Sequence, residues 1–221
     1  MATLEDHRAA AKSGETKSLV ILLHGYGADG ADLFGLSQPL SEYLPDTVFR
    51  APNAPEQNTI NPGGYQWFPI PRLDGASEEL SRSSMVRSVD ILNTYLTDVM
   101  AEEGVTPAQT VLVGFSQGTM MSLYVAPRRD AAVAAIVGFS GRLLDDSLAE
   151  DAKVRPPVLL VHGDEDPMIP VADMSAAETA LRAAGFDVRS HISRGVGHGI
   201  APDGLTLALQ FIMQHLGVDP A

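Results

Sequence analysis

Five short apolar runs punctuate the chain: "LVILL" (19–23), "TVFRA" (47–51), "TVLVGF" (110–115), "AAIVGF" (134–139) and "PVLLVH" (157–162). They are rich in aliphatic and β-branched residues and show no apolar–polar alternation, as expected of strands covered on both faces. A sixth run, "FDVRSHISR" (186–194), does alternate and predicts a strand nearer the sheet edge. Between the runs the apolar period becomes helical. Val89, Leu92, Leu96 and Val99 form one stripe, Ala177, Ala180, Leu181 and Ala184 a second, and Leu205, Ala208, Leu209, Ile212 and Leu216 a third. Strands alternating with amphipathic helices predict an α/β fold with a mostly parallel central sheet flanked by helices on both faces. A length of 221 residues suits one such domain, with residues 1–17 as an N-terminal extension.

One segment breaks the rhythm. Residues 53–79, "NAPEQNTINPGGYQWFPIPRLDGASEE", are rich in Pro, Gly and Asn, follow no period, and carry the sole tryptophan, Trp67, beside Tyr65, Phe68 and Ile70. A loop of this length inside a compact domain is either functional or disordered, and the aromatics argue for order. It is expected either to plug its aromatics into the body or to wall a substrate pocket.

Composition removes several function classes. A net charge of −13 repels phosphate backbones and anionic lipid surfaces, which disfavours nucleic acid as a partner. The absence of cysteine excludes disulfides, a thiolate nucleophile and a Cys-ligated metal. The first residues, "MATLEDHRAAAKSGETKS", mix acids and bases with no apolar core, so no signal peptide is expected, and the apolar runs are too short to span a bilayer. A soluble cytoplasmic protein without a stable membrane anchor is the expectation.

The run at 110–115 ends in Gly114-Phe115-Ser116-Gln117-Gly118, the G-x-S-x-G pattern, and a helical segment follows. A strand turning directly into a helix strains the serine backbone and crowds the positions two before and two after it, so both must be glycine. The Gln117 N–H then lies at a helix N-terminus, placed to stabilise a negative oxygen. Ser140 also ends a strand with glycine two residues before it, but Arg142 stands two residues after. Ser140 is therefore read as a loop residue beside the site, and Ser116 as the nucleophile.

A neutral serine needs a histidine base and an acid that orients it. His191 falls within the alternating strand and His215 within the last helix, whereas His198 lies in the glycine-lined loop "GVGHGI" after the last strand. Asp164, Glu165 and Asp166 follow the strand at 157–162. Asp164, directly after Gly163, suits a turn, which favours Asp166, set before Pro167. A solvated acidic turn is the plain alternative for this cluster. A metal site is disfavoured, since neither a calcium-loop spacing nor H-E-x-x-H occurs. The first long strand ends in "LLHGYGADG" (22–30), where Gly25 and Gly27 allow close approach of a substrate and the Tyr26 N–H is the natural second oxyanion donor.

Together "LLHGYGADG", "GFSQG", "VHGDEDPMIP" and "GVGHGI", in this order and over roughly residues 18–216, resemble the carboxylesterase/phospholipase family of small α/β-hydrolases, which includes the acyl-protein thioesterases. The resemblance implies an α/β-hydrolase fold without a large cap and a catalytic triad of Ser116, Asp166 and His198. It also implies an oxyanion hole from the Tyr26 and Gln117 amides, no cofactor, and in some members a homodimer. The "QWFP" segment matches the loop lining the acyl pocket of the family, which marks Trp67 and Phe68 as substrate-pocket residues. Pro69 and Tyr26 stand where thioesterases of animal type carry an acidic residue and a leucine, so the chain is more similar to bacterial carboxylesterases. The expected function is a serine carboxylesterase acting on short- to medium-chain esters. An acyl-protein thioesterase or lysophospholipase is the alternative within enzymes, and a silent acyl-ligand binding protein the alternative outside them. A dienelactone-type hydrolase would need a cysteine in the elbow.

Overall fold

The structure is a computed structural model and describes residues 4–145 and 147–219. Nine strands are present among them: β1 (Asp6–Ala9), β2 (Ser18–Leu23), β3 (Thr47–Pro52), β4 (Glu56–Gln57), β5 (Tyr65–Gln66), β6 (Thr110–Phe115), β7 (Ala135–Phe139), β8 (Val158–Gly163) and β9 (Val188–Ser193). The helices are α1 (Gly30–Phe34), α2 (Ser37–Ser41), α3 (Pro71–Asp74), α4 (Glu78–Glu102), α5 (Gln117–Val125), α6 (Leu148–Asp151), α7 (Val171–Ala183) and α8 (Pro202–Leu216). Seven strands form one sheet in the order β1-β3-β2-β6-β7-β8-β9, parallel except for β1, and β4 and β5 pair as a small separate ribbon.

The unalternating runs have a direct cause. Along β2, Leu19, Ile21 and Leu23 pack into one core with Leu92 and Leu96 of α4 and Met121 of α5. Val20 and Leu22 face the opposite way, onto Leu33 of α1, Leu40 of α2 and Phe211 and Ile212 of α8. Both faces are dry, so both parities must be apolar. Strand β9 lies at the sheet edge, as expected, but its burial does not alternate: only Val188 and Ser193 at its two ends are buried, and Ile192 is exposed, because the edge position leaves its middle uncovered.

Residues 6–9 fall in the stretch expected to be an N-terminal extension, yet they form the other edge strand, antiparallel to β3. "DHRA" carries no apolar pattern because charge holds it. The buried Arg50 of β3 donates to Asp6 at 2.6 Å and to Glu103 at 2.7 Å, Arg8 donates to Glu103 twice at 2.7 Å, and the Tyr95 hydroxyl donates to Asp6 at 2.6 Å. The Arg8 bond, assisted by Arg50 against the cost of burial, holds the Glu103 carboxyl below the ordinary glutamate value. Its stabilisation is therefore complete above the unfolded-state value and is lost as pH falls through the lower folded-state value. Arg50→Met should cost about 3 kcal/mol at neutral pH, since it leaves the largely buried Asp6 without its guanidinium and the buried Glu103 with Arg8 alone. The loss should shrink on acidification, and urea unfolding at several pH values checks both.

Candidate active site

The C-terminal ends of the parallel strands meet along one edge of the sheet, where open α/β sheets place their ligand crevice. There β6 passes into α5 through a single residue, Ser116, held at φ 53°, ψ −114°. This is a strained conformation for a residue with a side chain. The flanking glycines are explained by contact: a Cβ on Gly114 would meet the Thr119 nitrogen at 2.4 Å, and one on Gly118 the Leu23 oxygen at 1.8 Å. The Ser116 amide donates to the Phe139 carbonyl at 2.8 Å, which ties the turn to β7.

Ser140, at the end of β7, also has positive φ, 47°, but its turn is built differently. The crowding falls on Gly141, whose Cβ would meet Thr119 at 2.4 Å, so Arg142 is free of it. Ser140 is fully buried with an unpartnered hydroxyl and does not line the cavity described below.

After β8, Asp164 accepts from the Gly195 amide at 2.6 Å and braces the neighbouring loop. Asp166 turns inward instead. Its Oδ1 accepts from the Met168 and Ile169 amides at 2.8 and 2.9 Å, and its Oδ2 accepts from His198 Nδ1 at 2.7 Å. Burial alone would push this carboxyl up, but the two amides and the His198 ring outweigh it, and its pKa lies below the ordinary carboxylate value. With Nδ1–H given to the carboxylate, His198 Nε2 is left as the acceptor. Phe115 packs on the imidazole at 4.9 Å between centroids. No hydrogen bond joins the Ser116 hydroxyl to the ring in this structure, although both line the same cavity, and such bonds often tighten only around a substrate. The rival histidines lie elsewhere: His191 pairs with Asp203 at 2.7 Å, and His215 packs edge-on to Phe211.

Neither the Tyr26 nor the Gln117 amide donates a hydrogen bond among the described residues, and both residues line the cavity. Side chains lock the two amides in place. The Gln117 amide group accepts from Trp67 N at 2.9 Å and donates to the Phe68 carbonyl at 2.7 Å, while the Tyr26 hydroxyl donates to Asp74 at 2.9 Å. The segment 53–79 is thus pinned to both oxyanion candidates.

Trp67 itself requires a correction. It is fully buried, donates its indole N–H to the His24 carbonyl at 3.0 Å, and does not line the cavity. Its size makes it the anchor that carries its neighbours to the surface. Phe68, Pro69 and Ile70 supply the wall that was expected of Trp67 and Phe68 together. The cavity measures about 690 Å³, and Met85, Met120 and Ile169 add to its apolar lining.

A sequence model of the phospholipase/carboxylesterase family matches residues 4–216. The chain belongs to that family. It is 31% identical over 203 residues to esterase YpfH of Escherichia coli K12, covering 90% of this chain and 82% of that protein. It is 28% identical to acyl-protein thioesterase 1 of Gibberella zeae over 214 residues, or 89% of this chain and 90% of that one. Among solved structures it is similar to esterase PE8, with 43% identity and a TM-score of 0.92 over 97% of this chain and all of the other (100%). It is an enzyme of the ester- or thioester-cleaving class, built as an α/β-hydrolase without a cap. No helix among its described residues is long and apolar enough to cross a membrane.

Two histidines of this hydrolase escaped the sequence reading. His24 is buried, which lowers its pKa, and it bridges the Gly25 carbonyl (2.8 Å) and the Ala54 amide (2.9 Å), setting the shape of the loop that carries Tyr26. His162, fully enclosed, donates from Nε2 to the Ile169 carbonyl at 2.8 Å and lies 3.3 Å from Asp166 Oδ2. Each directly precedes a glycine of a site motif, a signal that marks proximity to the site but not the ring's partners.

Proposed function

We propose that the protein is a serine carboxylesterase that cleaves short- to medium-chain esters through an acyl-enzyme, with Ser116 as nucleophile, His198 as base and Asp166 as its orienting acid. The observation that carries this reading is the 2.7 Å pair of Asp166 with His198, whose ring lines the cavity together with Ser116 of the elbow. His198 Nε2 takes the hydroxyl proton as Ser116 attacks the ester carbonyl. The Tyr26 and Gln117 N–H groups receive the oxyanion, and the alcohol leaves with the proton from His198. Water repeats the sequence and releases the acid. Asp166 keeps the proton of the resting imidazole on Nδ1 and stabilises the imidazolium without becoming protonated itself.

Two considerations favour small esters over membrane-borne or protein-bound acyl chains. The net charge of −13 opposes docking on anionic bilayers. The similarity to proteins named esterases also reaches higher identity than that to proteins named thioesterases. Hydrolysis of p-nitrophenyl esters from acetyl to palmitoyl, beside matched thioesters, tests the reading. An optimum at short or medium oxygen esters is expected. A clear preference for long-chain or thioester substrates would move the assignment to lysophospholipase or thioesterase, and binding without turnover would make the protein a silent acyl binder. Asp166→Asn should lower kcat by about 10³- to 10⁴-fold, because the amide side chain favours the wrong imidazole tautomer. Steady-state rates measured over a neutral to alkaline range check this.

A further inference from the structure

The walls of the cavity hold a charge that the rest of the molecule does not predict. Fifteen lysines and arginines face twenty-eight acids in the chain, and most of the basic groups are engaged. Among the described residues only Arg82, Arg142 and Arg194 make neither an ion pair nor a side-chain hydrogen bond; the others hold carboxylates, carbonyls or polar side chains. Two of these three, Arg82 from α4 and Arg142 from the turn after β7, line the cavity of Ser116 and His198. Arg72 lines it too, and its guanidinium meets only the Met168 carbonyl, at 3.0 Å. Against them stand two wall carboxylates. Asp145 is already held by Arg128 at 3.2 Å, and Glu78 sits in the first turn of α4, where the helix favours its charge, without an ion pair to Arg82.

Guanidiniums without a carboxylate partner among the described residues, exposed on the wall of a partly apolar pocket in a strongly acidic protein, form a local positive field that attracts and orients an anion. Resting on the esterase reading, we propose that the substrates are anionic esters: compounds with a hydrocarbon body beside the scissile bond and a carboxylate or phosphate beyond it, held by Arg82 and Arg142. The anion is a spectator. The C–O bond to the alcohol breaks, the Ser116–acyl bond forms and is then cleaved by water, and the net change is ester plus water to acid plus alcohol.

Two pairs of substrates test this. The first places the anion on the acyl side: the 4-nitrophenyl half-ester of glutarate against 4-nitrophenyl pentanoate. The second places it on the alcohol side: 4-acetoxybenzoate against its methyl ester. The reading is the ratio of kcat/KM for the charged to the neutral member, in the wild type and in the Arg82→Gln/Arg142→Gln double variant. In at least one pair the ratio should fall by about tenfold in the double variant, mainly through KM, as expected for two exposed charge contacts. The difference should fade at about 1 M salt. The responding pair tells on which side the anion lies. If neither ratio moves, the anionic substrate class is wrong, while turnover of the neutral esters leaves the esterase reading intact. If no ester is cleaved and a fluorophosphonate does not label Ser116, the esterase reading itself fails. Binding of monomethyl glutarate then decides the anion site, and equal affinity in the two proteins overturns it.

Discussion

Ser116→Ala should abolish measurable ester hydrolysis, lowering kcat by about 10⁴-fold or more, with no compensating change in fold. Two features set the expectation. In the proposed mechanism His198 accepts the serine proton, so without the hydroxyl only the proposed oxyanion donors and substrate binding remain, which together give a modest residual rate over water. The hydroxyl also makes no side-chain hydrogen bond in the structure, so its removal leaves no buried partner unsatisfied, and stability should change by less than about 0.5 kcal/mol. Steady-state assays and thermal unfolding on the same preparation separate the two effects. A variant that kept a tenth of the wild-type rate would remove Ser116 from the chemistry. A variant that lost both rate and fold would show that the turn, rather than the hydroxyl, had been disturbed.

The parts of the molecule legible in its sequence are those where one physical demand acts alone. Strands β2, β6, β7 and β8 are dry on both faces, and only unbroken apolar runs satisfy that. The elbow is legible because its backbone excludes side chains at Gly114 and Gly118. Strand β1 is illegible because its attachment is ionic: Asp6 and Arg8 find Arg50 and Glu103 through tertiary structure, and no local period announces this. The preference for Asp166 over Asp164 becomes decisive only when the Met168 and Ile169 amides are seen to turn its carboxylate toward His198. Trp67 is ambiguous in the sequence for a related reason. An aromatic in a loop can face a ligand or serve as an anchor, and the choice is made by Gln117, His24 and Ser88, which hold it inward. Ser140 shows the converse. The clash expected at Arg142 presumes the geometry of the Ser116 turn, and the chain after β7 bends so that Gly141 takes the crowding.

Gly118→Ala should be the most damaging small substitution near the site, costing about 3 kcal/mol or more in stability. The added Cβ would lie 1.8 Å from the Leu23 oxygen, 2.5 Å from the Leu23 carbon and 2.8 Å from the His24 oxygen. All three are backbone atoms, so no rotamer change relieves the clash. Relief requires α5 and the end of β2 to separate. Gln117 opens α5 and Tyr26 follows β2 by three residues, so the same movement widens the gap between the two N–H groups proposed to converge on one oxygen. A displacement near 1 Å in such a pair costs on the order of 10²-fold in rate. The fraction that folds should thus be slow as well as scarce, with kcat reduced after correction for active-site labelling. Gly104→Ala supplies the contrast: its φ is 69°, but nothing lies within 4 Å of the new Cβ. It should cost only the backbone strain of about 1–2 kcal/mol and leave kcat unchanged. Equal kinetic damage from the two variants would mean that loss of stability, not spacing of the oxyanion donors, limits the rate. Damage confined to Gly118 would place the close packing of α5 against β2 among the determinants of catalysis.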